Sequence, residues 1–185
     1  LPNEGLPLLA VVSRLAEQKG IGQMVEVLAE LFPDNHFQFV LLGSGDEALE
    51  EMLLQLRAEF PNSVGVEIGY DQSLSHKIEA GADFFLMPSR FEPCGLNQLY
   101  SLRYGTIPIV HAVGGLKDSI TDINEAKGNG IRYDRFAAPQ LSVAIKRALK
   151  MYSDPQGMNR ARENGMRQDF SWSKAAAQYL AVYKP

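Results

Sequence analysis

Short apolar runs alternate with longer segments of helical periodicity along most of the chain. The apolar runs have the length of buried strands, and the segments between them repeat apolar residues at helical spacing. This alternation is typical of parallel sheets whose strands are joined by helical crossovers. The sequence therefore predicts an α/β fold, a Rossmann-like doubly wound parallel sheet of five or six strand–helix units. The predicted strands cover residues 8–12, 37–42, 64–68, 82–87 and 107–110, and the predicted helices cover 20–32, 47–60, 74–80, 95–104 and a segment from 116.

The last third of the chain has a different pattern. Residues 139–152 and 175–183 each have the pattern of an amphipathic helix, and a polar stretch that contains Pro and Gly separates them. The segment 122–130 is rich in Asn and Gly and predicts a mobile surface loop. Because no repeat or low-complexity linker interrupts the chain, we expect residues 1–185 to form a single domain.

Composition and charge disfavour several classes of protein. A net charge of −4 over 185 residues argues against a nucleic-acid groove, so basic residues at particular positions must do any phosphate binding. The single cysteine, Cys94, excludes an intrachain disulfide and a multi-cysteine metal site, and it fits a reducing cytosolic setting. No apolar run approaches the roughly 18 residues that indicate a membrane span. We therefore expect no nucleic-acid partner and no membrane.

A carboxylate, Glu92, lies between the fourth predicted strand and the helix that follows it. In an open α/β sheet, ligand groups are presented at the carboxyl ends of the strands. The backbone amides of Cys94, Gly95 and Leu96 come next, at a predicted helix N-terminus, where free amides and a positive dipole favour an anion such as phosphate. The alternative is that Glu92 serves only as a helix cap or a first-turn charge.

Two cations, Arg14 and Lys19, follow the first predicted strand and so belong to the same edge of the sheet as Glu92. A guanidinium and an ammonium are suited to clamp a diphosphate, because each charge-assisted bond contributes about 1.5–3 kcal/mol. Taken alone, an Arg and a Lys in a loop are more often solvated surface charges.

Two pairs of glycines follow predicted strands. Gly43 and Gly45 come after the second strand and allow close backbone approach to a ligand, but they lack the third glycine of a dinucleotide fingerprint. Asp46 beside them is as well suited to cap the next helix. Gly114 and Gly115 follow the fifth strand and offer amides to a phosphate, although a glycine pair is more often a tight turn.

Three further readings concern stacking, nucleophilic chemistry and metals. Tyr70 ends the third predicted strand, where an aromatic ring is placed to stack on a base, although a solitary tyrosine there is more often packing. Cys94 is disfavoured as a nucleophile because no histidine stands at a recognisable partner spacing. The three histidines form no pair with ligand spacing, so no metal site is predicted.

The motifs together resemble the bacterial glycogen synthases and plant starch synthases, which transfer glucose from a nucleotide sugar to an α-1,4-glucan. The resemblance implies that residues 1–185 are the C-terminal, donor-binding half of a two-domain GT-B glycosyltransferase, without the N-terminal acceptor domain. The motifs that carry it, in family order, are Val-Ser-Arg-Leu at 12–15, Gln-Lys-Gly at 18–20, Gly-Tyr at 69–70, Glu-Pro-Cys-Gly at 92–95, Gly-Gly-Leu at 114–116 and Asp-Phe-Ser-Trp at 169–172.

The resemblance also implies roles for individual residues. Arg14 and Lys19 neutralise the departing diphosphate, and Glu92 holds hydroxyls of the donor glucose. Where the wider superfamily often has a second glutamate for the ribose, this chain has Tyr100, and where many relatives have Thr it has Val113. The residues implied to bind the donor nucleotide sugar, through backbone groups or through stacking on adenine by the tyrosine, are Gly43, Gly45, Tyr70, Cys94, Gly95, Leu96, Gly114 and Gly115.

The function implied is that of a retaining ADP-glucose:α-1,4-glucan glucosyltransferase, a hexosyltransferase that needs no metal and no cofactor. Its partners are the nucleotide sugar and, through the missing domain, the glucan, so the isolated chain is expected to show little or no transfer. The setting is cytoplasmic for a bacterial protein and the plastid stroma for a plant one. Two alternatives stay open: a non-catalytic nucleotide- or glucan-binding module, and a related glycosyltransferase with another donor or acceptor.

The final helix carries two aromatic residues whose role the sequence leaves open. By resemblance, Trp172 and Tyr179 face a partner domain. The alternative is that they close this domain's own core.

Overall fold

A six-stranded parallel sheet forms the centre of the molecule in the computed structural model, which describes Leu1 and residues 5–183. The strand order is β3-β2-β1-β4-β5-β6, so the chain winds outward from β1 and then crosses back to begin its second half at β4. This confirms the Rossmann-like doubly wound sheet. The strands are Leu8–Val12 (β1), Gln38–Gly43 (β2), Val64–Ile68 (β3), Phe84–Met87 (β4), Ile107–His111 (β5) and Ile131–Tyr133 (β6).

Helices cover both faces of the sheet. Helices α1, α2 and α6 pack on one face, and helices α3, α4 and α5 pack on the other. In the described part of the chain, the α-helices are Ile21–Leu31 (α1), Glu47–Glu59 (α2), Gln72–Gly81 (α3), Asn97–Tyr104 (α4), Gly114–Ser119 (α5), Ala138–Tyr152 (α6), Pro155–Met166 (α7) and Trp172–Tyr183 (α8).

The central strands β1 and β4 are apolar throughout because they lie between two helical layers. In β4, Phe84 and Leu86 belong to the larger core cluster on one face, while Phe85 and Met87 belong to the smaller cluster on the other. Alternate residues of a strand point to opposite faces, so a strand between two helical layers needs apolar residues at every position. This is why the predicted strands appear in the sequence as continuous apolar runs.

Two aspartates begin helices by capping them. Asp46 accepts hydrogen bonds from the amides of Ala48 and Leu49 at the start of α2, and Asp71 accepts one from Leu74 at the start of α3. Such a cap contributes about 1 kcal/mol. For Asp46 the capping interpretation is confirmed.

Two elements were missed by the sequence patterns. The strand β6 is only three residues long, too short to show a pattern of its own. The stretch predicted as polar connection is the helix α7, which begins with Pro155 at its first position after the cap Asp154, whose carboxylate accepts from the Gly157 amide. A proline and a glycine near a helix start do not interrupt it.

The loop 122–130, which the sequence predicts to be mobile, is anchored near both of its ends by hydrogen bonds. Asn129 is fully buried, donates to the Ser119 carbonyl and accepts from the Thr121 amide. Asp122 accepts a hydrogen bond at 2.6 Å from the Arg147 guanidinium on α6. Residues 124–127, between these two anchors, are exposed, so the surface position is confirmed for the middle of the loop, and its mobility stays a prediction.

The last helix leaves its apolar side chains in solvent. Trp172 is 88% exposed, Tyr179 is also exposed, and the described part of α8 buries no residue. The alternative in which these two aromatics close this domain's own core is therefore wrong.

We predict that Asp122→Asn lowers the free energy of unfolding by about 1–3 kcal/mol near neutral pH, because it weakens a charge-assisted network. Burial alone would raise the pKa of Asp122, but bonds from Arg147 and from the amides of Arg132 and Asn124 hold it below its usual value. A carboxyl group whose pKa is lowered in the folded state stabilises the fold when the pH is above its ordinary pKa. This contribution is lost as the pH falls through the pKa of the folded state.

The measurement is urea unfolding of both proteins at neutral and at acidic pH. The difference between them should shrink on acidification. Asp134→Asn, at an exposed position, is the matched control and should stay within about 0.5 kcal/mol of the parent. A difference between the Asp122 variant and its parent that is unchanged in acid would contradict the charge-based account.

Candidate functional site

A cavity of about 330 Å³ lies at the carboxyl ends of β1 and β4. These are the neighbouring strands between which the chain order reverses, which is where open α/β sheets bind ligands. Five residues predicted from the sequence to bind a ligand line this cavity: Arg14, Lys19, Glu92, Gly95 and Leu96. The structure therefore brings the predicted cations, the predicted carboxylate and part of the predicted amide turn into one place.

An ion pair between Lys19 and Glu92 is the centre of this cavity. The Lys19 Nζ lies 2.5 Å from the Glu92 Oε2, and the Ser89 hydroxyl donates to the same oxygen at 3.2 Å. Glu92 is only 6% exposed. Because a buried carboxylate is costly unless it is paired and hydrogen-bonded, these two donors account for its stability in the fold.

The turn that carries Lys19 is fastened to the loop that carries Glu92, which spans residues 88–95. Gln18 donates its side-chain amide to the Phe91 carbonyl at 2.9 Å. Gly20 has a φ of 71°, and a Cβ on it would lie 2.1 Å from the Pro88 carbonyl oxygen. Only glycine fits this position, so the close approach of the two segments depends on Gly20.

A histidine holds the backbone of Ser89 in place. The buried His111, at the end of β5, has its Nδ1 2.8 Å from the Ser89 carbonyl oxygen, so that nitrogen donates the hydrogen bond. The His111 ring stacks on Tyr133 of β6 at 5.4 Å. His111 thus supports the loop 88–95 and is not among the residues that line the cavity.

The predicted amide turn is present. Gly95 has a φ of 72°, and the Gln98 side chain donates to the carbonyls of Cys94 and Gly95. The backbone N–H groups of Cys94, Gly95 and Leu96 donate to no other described residue. Helix α4 starts at Asn97, two residues later than predicted, because the left-handed Gly95 precedes it.

The glycine pair after β5 is used for packing. The Gly115 amide donates to the Glu92 carbonyl at 3.1 Å, and a Cβ on Gly115 would lie 2.1 Å from the Cys94 carbonyl oxygen. A Cβ on Gly114 would lie 2.1 Å from the Glu92 carbonyl oxygen. In this structure the Gly115 amide supports the loop 88–95, and the phosphate contact of the turn stays a prediction.

A second cavity of about 370 Å³ adjoins the first, and both are lined by Arg14 and Asn97. Arg14 is exposed, and its guanidinium pairs with no other described residue. Gly43, Tyr70 and Tyr100 line the second cavity. Tyr70 is 86% exposed, so its ring is open to a planar ligand.

Gly45 does not line either cavity. Its amide donates to the Glu50 carboxylate at 2.9 Å, and a Cβ on it would lie 2.2 Å from the Leu15 carbonyl oxygen. Gly45 thus packs against the chain that follows β1, and its predicted nucleotide contact stays a prediction.

Sequence patterns missed a buried acid in the second cavity, Glu79 on α3. It is 2% exposed, and its Oε2 lies 3.5 Å from the Nδ1 of His76. Burial raises the pKa of Glu79, and the neighbouring His76 lowers it in part. The signal that would have found it is a charged residue directly after the inward-facing Ile78 of a predicted helix.

Within the described residues, no cluster of three His, Cys, Asp or Glu side chains has the arrangement of a metal site. The same part of the chain contains no helix long and apolar enough to cross a membrane. The thiol of Cys94 is exposed and donates to the Gly95 carbonyl.

We predict that Gly115→Ala destabilises the fold by about 1–3 kcal/mol, because the new methyl group meets a backbone oxygen that cannot move without displacing the loop 88–95. Gly81→Ala is the matched control. A Cβ there meets nothing within 4 Å, and the position is helical, so we expect a neutral or slightly stabilising effect. Urea unfolding measures both, and equal stabilities of the two variants would contradict the packing role.

The fold and the two cavities define the class of protein as a Rossmann-like α/β domain whose candidate ligand site lies at the switch point of its sheet. Residues 1–168 match the family model "Glycosyl transferases group 1", and the chain belongs to this family.

Individual relatives agree with this assignment. The chain is 51% identical over 178 residues to the glycogen synthase of Myxococcus xanthus, covering 96% of this chain and 36% of that protein. It is 48% identical over 180 residues to the glycogen synthase of Anaeromyxobacter sp. strain K, covering 97% and 38%. The chain thus spans less than two fifths of the length of these curated relatives. The predicted resemblance to the glycogen synthases is confirmed.

Solved structures show the same likeness. The catalytic domain of starch synthase IV from Arabidopsis thaliana, bound to ADP and acarbose, superposes with a TM-score of 0.86 at 34% identity, covering 96% of this chain and 38% of that one. Sucrose-phosphate synthase from Thermosynechococcus elongatus superposes with a TM-score of 0.74 at 25% identity, covering 100% and 46%.

Proposed function

We propose that this chain is the donor-binding domain of a retaining hexosyltransferase that transfers glucose from ADP-glucose to an α-1,4-glucan. The observation that carries the proposal is the first cavity, where Lys19 and Glu92 lie together with Gly95 and Leu96 of the amide turn at the switch point of the sheet. The 51% identity to a glycogen synthase supports the same reading.

The phosphates of the donor are assigned to the positive groups of the first cavity. Lys19 lies inside it, Arg14 stands between the two cavities, and the amides of the turn 94–96 add the positive end of a helix. As the bond to glucose breaks, negative charge grows on the diphosphate, and preplaced positive groups stabilise that charge. The proposal needs neither a metal ion nor a cofactor for this step.

The glucose of the donor is assigned to Glu92. An ionised carboxylate accepts hydrogen bonds only, so it suits sugar hydroxyls. In this structure the Glu92 Oε2 accepts a hydrogen bond from Lys19. Donor binding is therefore an exchange, in which Lys19 gains a phosphate and Glu92 gains hydroxyls.

The nucleoside is assigned to the second cavity, with the base stacked on the exposed ring of Tyr70 and the backbone at Gly43 close by. The similar starch synthase structure contains ADP. We infer an adenine nucleotide from this likeness.

The acceptor is assigned to a further part of a longer protein. An apolar cavity of about 750 Å³ lies between α4 and the start of α8, lined by Leu99, Met166, Phe170 and Trp172 among others. We propose that residues 1–185 form one domain and that an acceptor-binding domain covers this surface. Because the curated glycogen synthases reported above are bacterial, we propose a cytoplasmic setting.

Calorimetric titration of the 185-residue chain with ADP, UDP and GDP tests the proposal. We expect ADP to bind most tightly. Lys19→Ala should weaken ADP binding about tenfold or more, because it removes a charge-assisted bond. No binding of any of the three nucleotides would overturn the proposed function, while a preference for UDP would overturn the donor assignment alone.

A second prediction concerns the resting ion pair. Glu92→Gln frees Lys19 from its carboxylate, so ADP should bind several-fold more tightly, although turnover by a two-domain protein should fall by several orders of magnitude. Glu163→Gln is the control, because it removes one partner of an exposed ion pair with Arg167 on α7. Weaker ADP binding by the Glu92 variant would contradict the exchange of partners.

A third prediction concerns the chain by itself. Incubated with labelled ADP-glucose and glycogen, the 185-residue chain should incorporate label only at background level, because the acceptor groups are assigned elsewhere. Elongation of glycogen by this chain alone would refute that assignment. Restored transfer by a longer protein that contains this chain would distinguish a donor domain from a non-catalytic binding module.

A further inference from the structure

The second cavity has a polar floor to which the proposed function gives no role. Glu79 and His76, both on α3, line it together with Tyr100 of α4. Glu79 is nearly inaccessible, yet its Oε2 forms no hydrogen bond with any described residue. A buried carboxylate oxygen without such a bond is costly, so its position beside a cavity requires an explanation.

The carboxylate of Glu79 is held at this place by its backbone. The Thr106 hydroxyl donates to the Glu79 carbonyl, and it also lies 3.1 Å from the Ala82 carbonyl. Ile78, the preceding residue, is in the smaller core cluster. The end of α3 is therefore fixed against β5, and the acid cannot reach water by a movement of its helix.

His76 is the nearest polar partner of the Glu79 carboxylate, but the contact is long. Its Nδ1 lies 3.5 Å from the Glu79 Oε2 and 3.3 Å from the Tyr104 hydroxyl. Two oxygens close to one ring nitrogen favour a proton on that nitrogen. The imidazole is partly exposed and shared between two partners, so it leaves the carboxylate with capacity to accept from a ligand.

The chemistry of the floor selects hydroxyl donors. An ionised carboxylate accepts hydrogen bonds and donates none, so a ligand group that faces Glu79 must carry O–H or N–H. Two adjacent hydroxyls match the two oxygens of one carboxylate, as the acidic residue of dinucleotide-binding sites illustrates. The ribose of a nucleotide carries such a pair.

The order of groups along the cavities favours the ribose over the base. Arg14 lies where the two cavities meet, which is the place assigned to the phosphates, whereas Tyr70 is exposed at the rim, which is the place assigned to the base. The ribose connects phosphate and base in a nucleotide. It therefore falls between these two residues, over the buried Glu79.

We propose that Glu79, partnered by His76, is a binding and specificity-determining residue that accepts hydrogen bonds from the vicinal 2′- and 3′-hydroxyls of the nucleotide ribose. This inference rests on the proposed function, which places a nucleoside diphosphate in the two cavities. It assigns to α3 a ribose contact that the sequence patterns did not indicate.

The test is a calorimetric comparison of ADP with 2′-deoxy-ADP and 3′-deoxy-ADP on the 185-residue chain. We expect each deoxy nucleotide to bind about tenfold more weakly than ADP, as is typical of a lost hydrogen bond to a charged group. Glu79→Gln should bind ADP more weakly and should reduce this discrimination to about twofold or less. Glu59→Gln, an exposed acid on α2, is the control and should keep the full discrimination.

Each outcome is decisive. If the parent chain binds none of the nucleotides, the proposed function fails and this inference fails with it. If it binds ADP and both deoxy nucleotides equally, only the ribose contact is refuted, and this comparison needs no variant. If a folded Glu79→Gln keeps the discrimination of the parent, Glu79 is only a structural partner of His76, and the inference is overturned.

Discussion

The buried carboxylate of Glu92 is the constraint on which the functional edge of this molecule depends. A charge in that position is tolerated only with close donors, and Lys19 and Ser89 provide them at 2.5 and 3.2 Å. To bring these donors in, chain segments that follow β1, β4 and β5 must converge. Glycines make the convergence possible, since a Cβ on Gly20 or Gly115 would lie 2.1 Å from a carbonyl oxygen of the loop 88–95.

The same constraint determines how the charges at this edge of the sheet are paired. Lys19 and Glu92 satisfy each other, so neither charge is left uncompensated in the resting fold. Arg14 differs, because it is exposed and pairs with no other described residue. In the proposed reaction, one cation is therefore free to attract the donor phosphates, while the other is released only when hydroxyls replace it at Glu92. Binding selectivity then arises from the need to satisfy both partners of a broken pair.

Much of the sheet was predictable, because its strands are buried on both faces and stand out as apolar runs. The strand β1 was predicted with its observed bounds, Leu8–Val12. Short or locally unusual elements were not predictable, as β6 and α7 show, because three residues carry no period and a proline masks a helix start.

For the site, the sequence indicated Lys19 and Glu92 but not that they form an ion pair with each other. The sequence also did not indicate that the Gly115 amide donates to the Glu92 carbonyl, because a spacing does not show which neighbouring loop an amide meets. Glu79 escaped notice because its role depends on which face of α3 is covered.

Helix α4 links the three cavities of this edge. Leu96 lines the first and the third cavity, Asn97 lines the first and the second, and Tyr100 lines the second and the third. The third cavity is the apolar one beside α8, whose aromatic residues Trp172, Tyr179 and Tyr183 are exposed. A domain that covers this surface would contact the same helix that walls the donor cavities. Docking of that domain and binding of the donor would then act on one short helix, and this gives a physical route by which the two events influence each other.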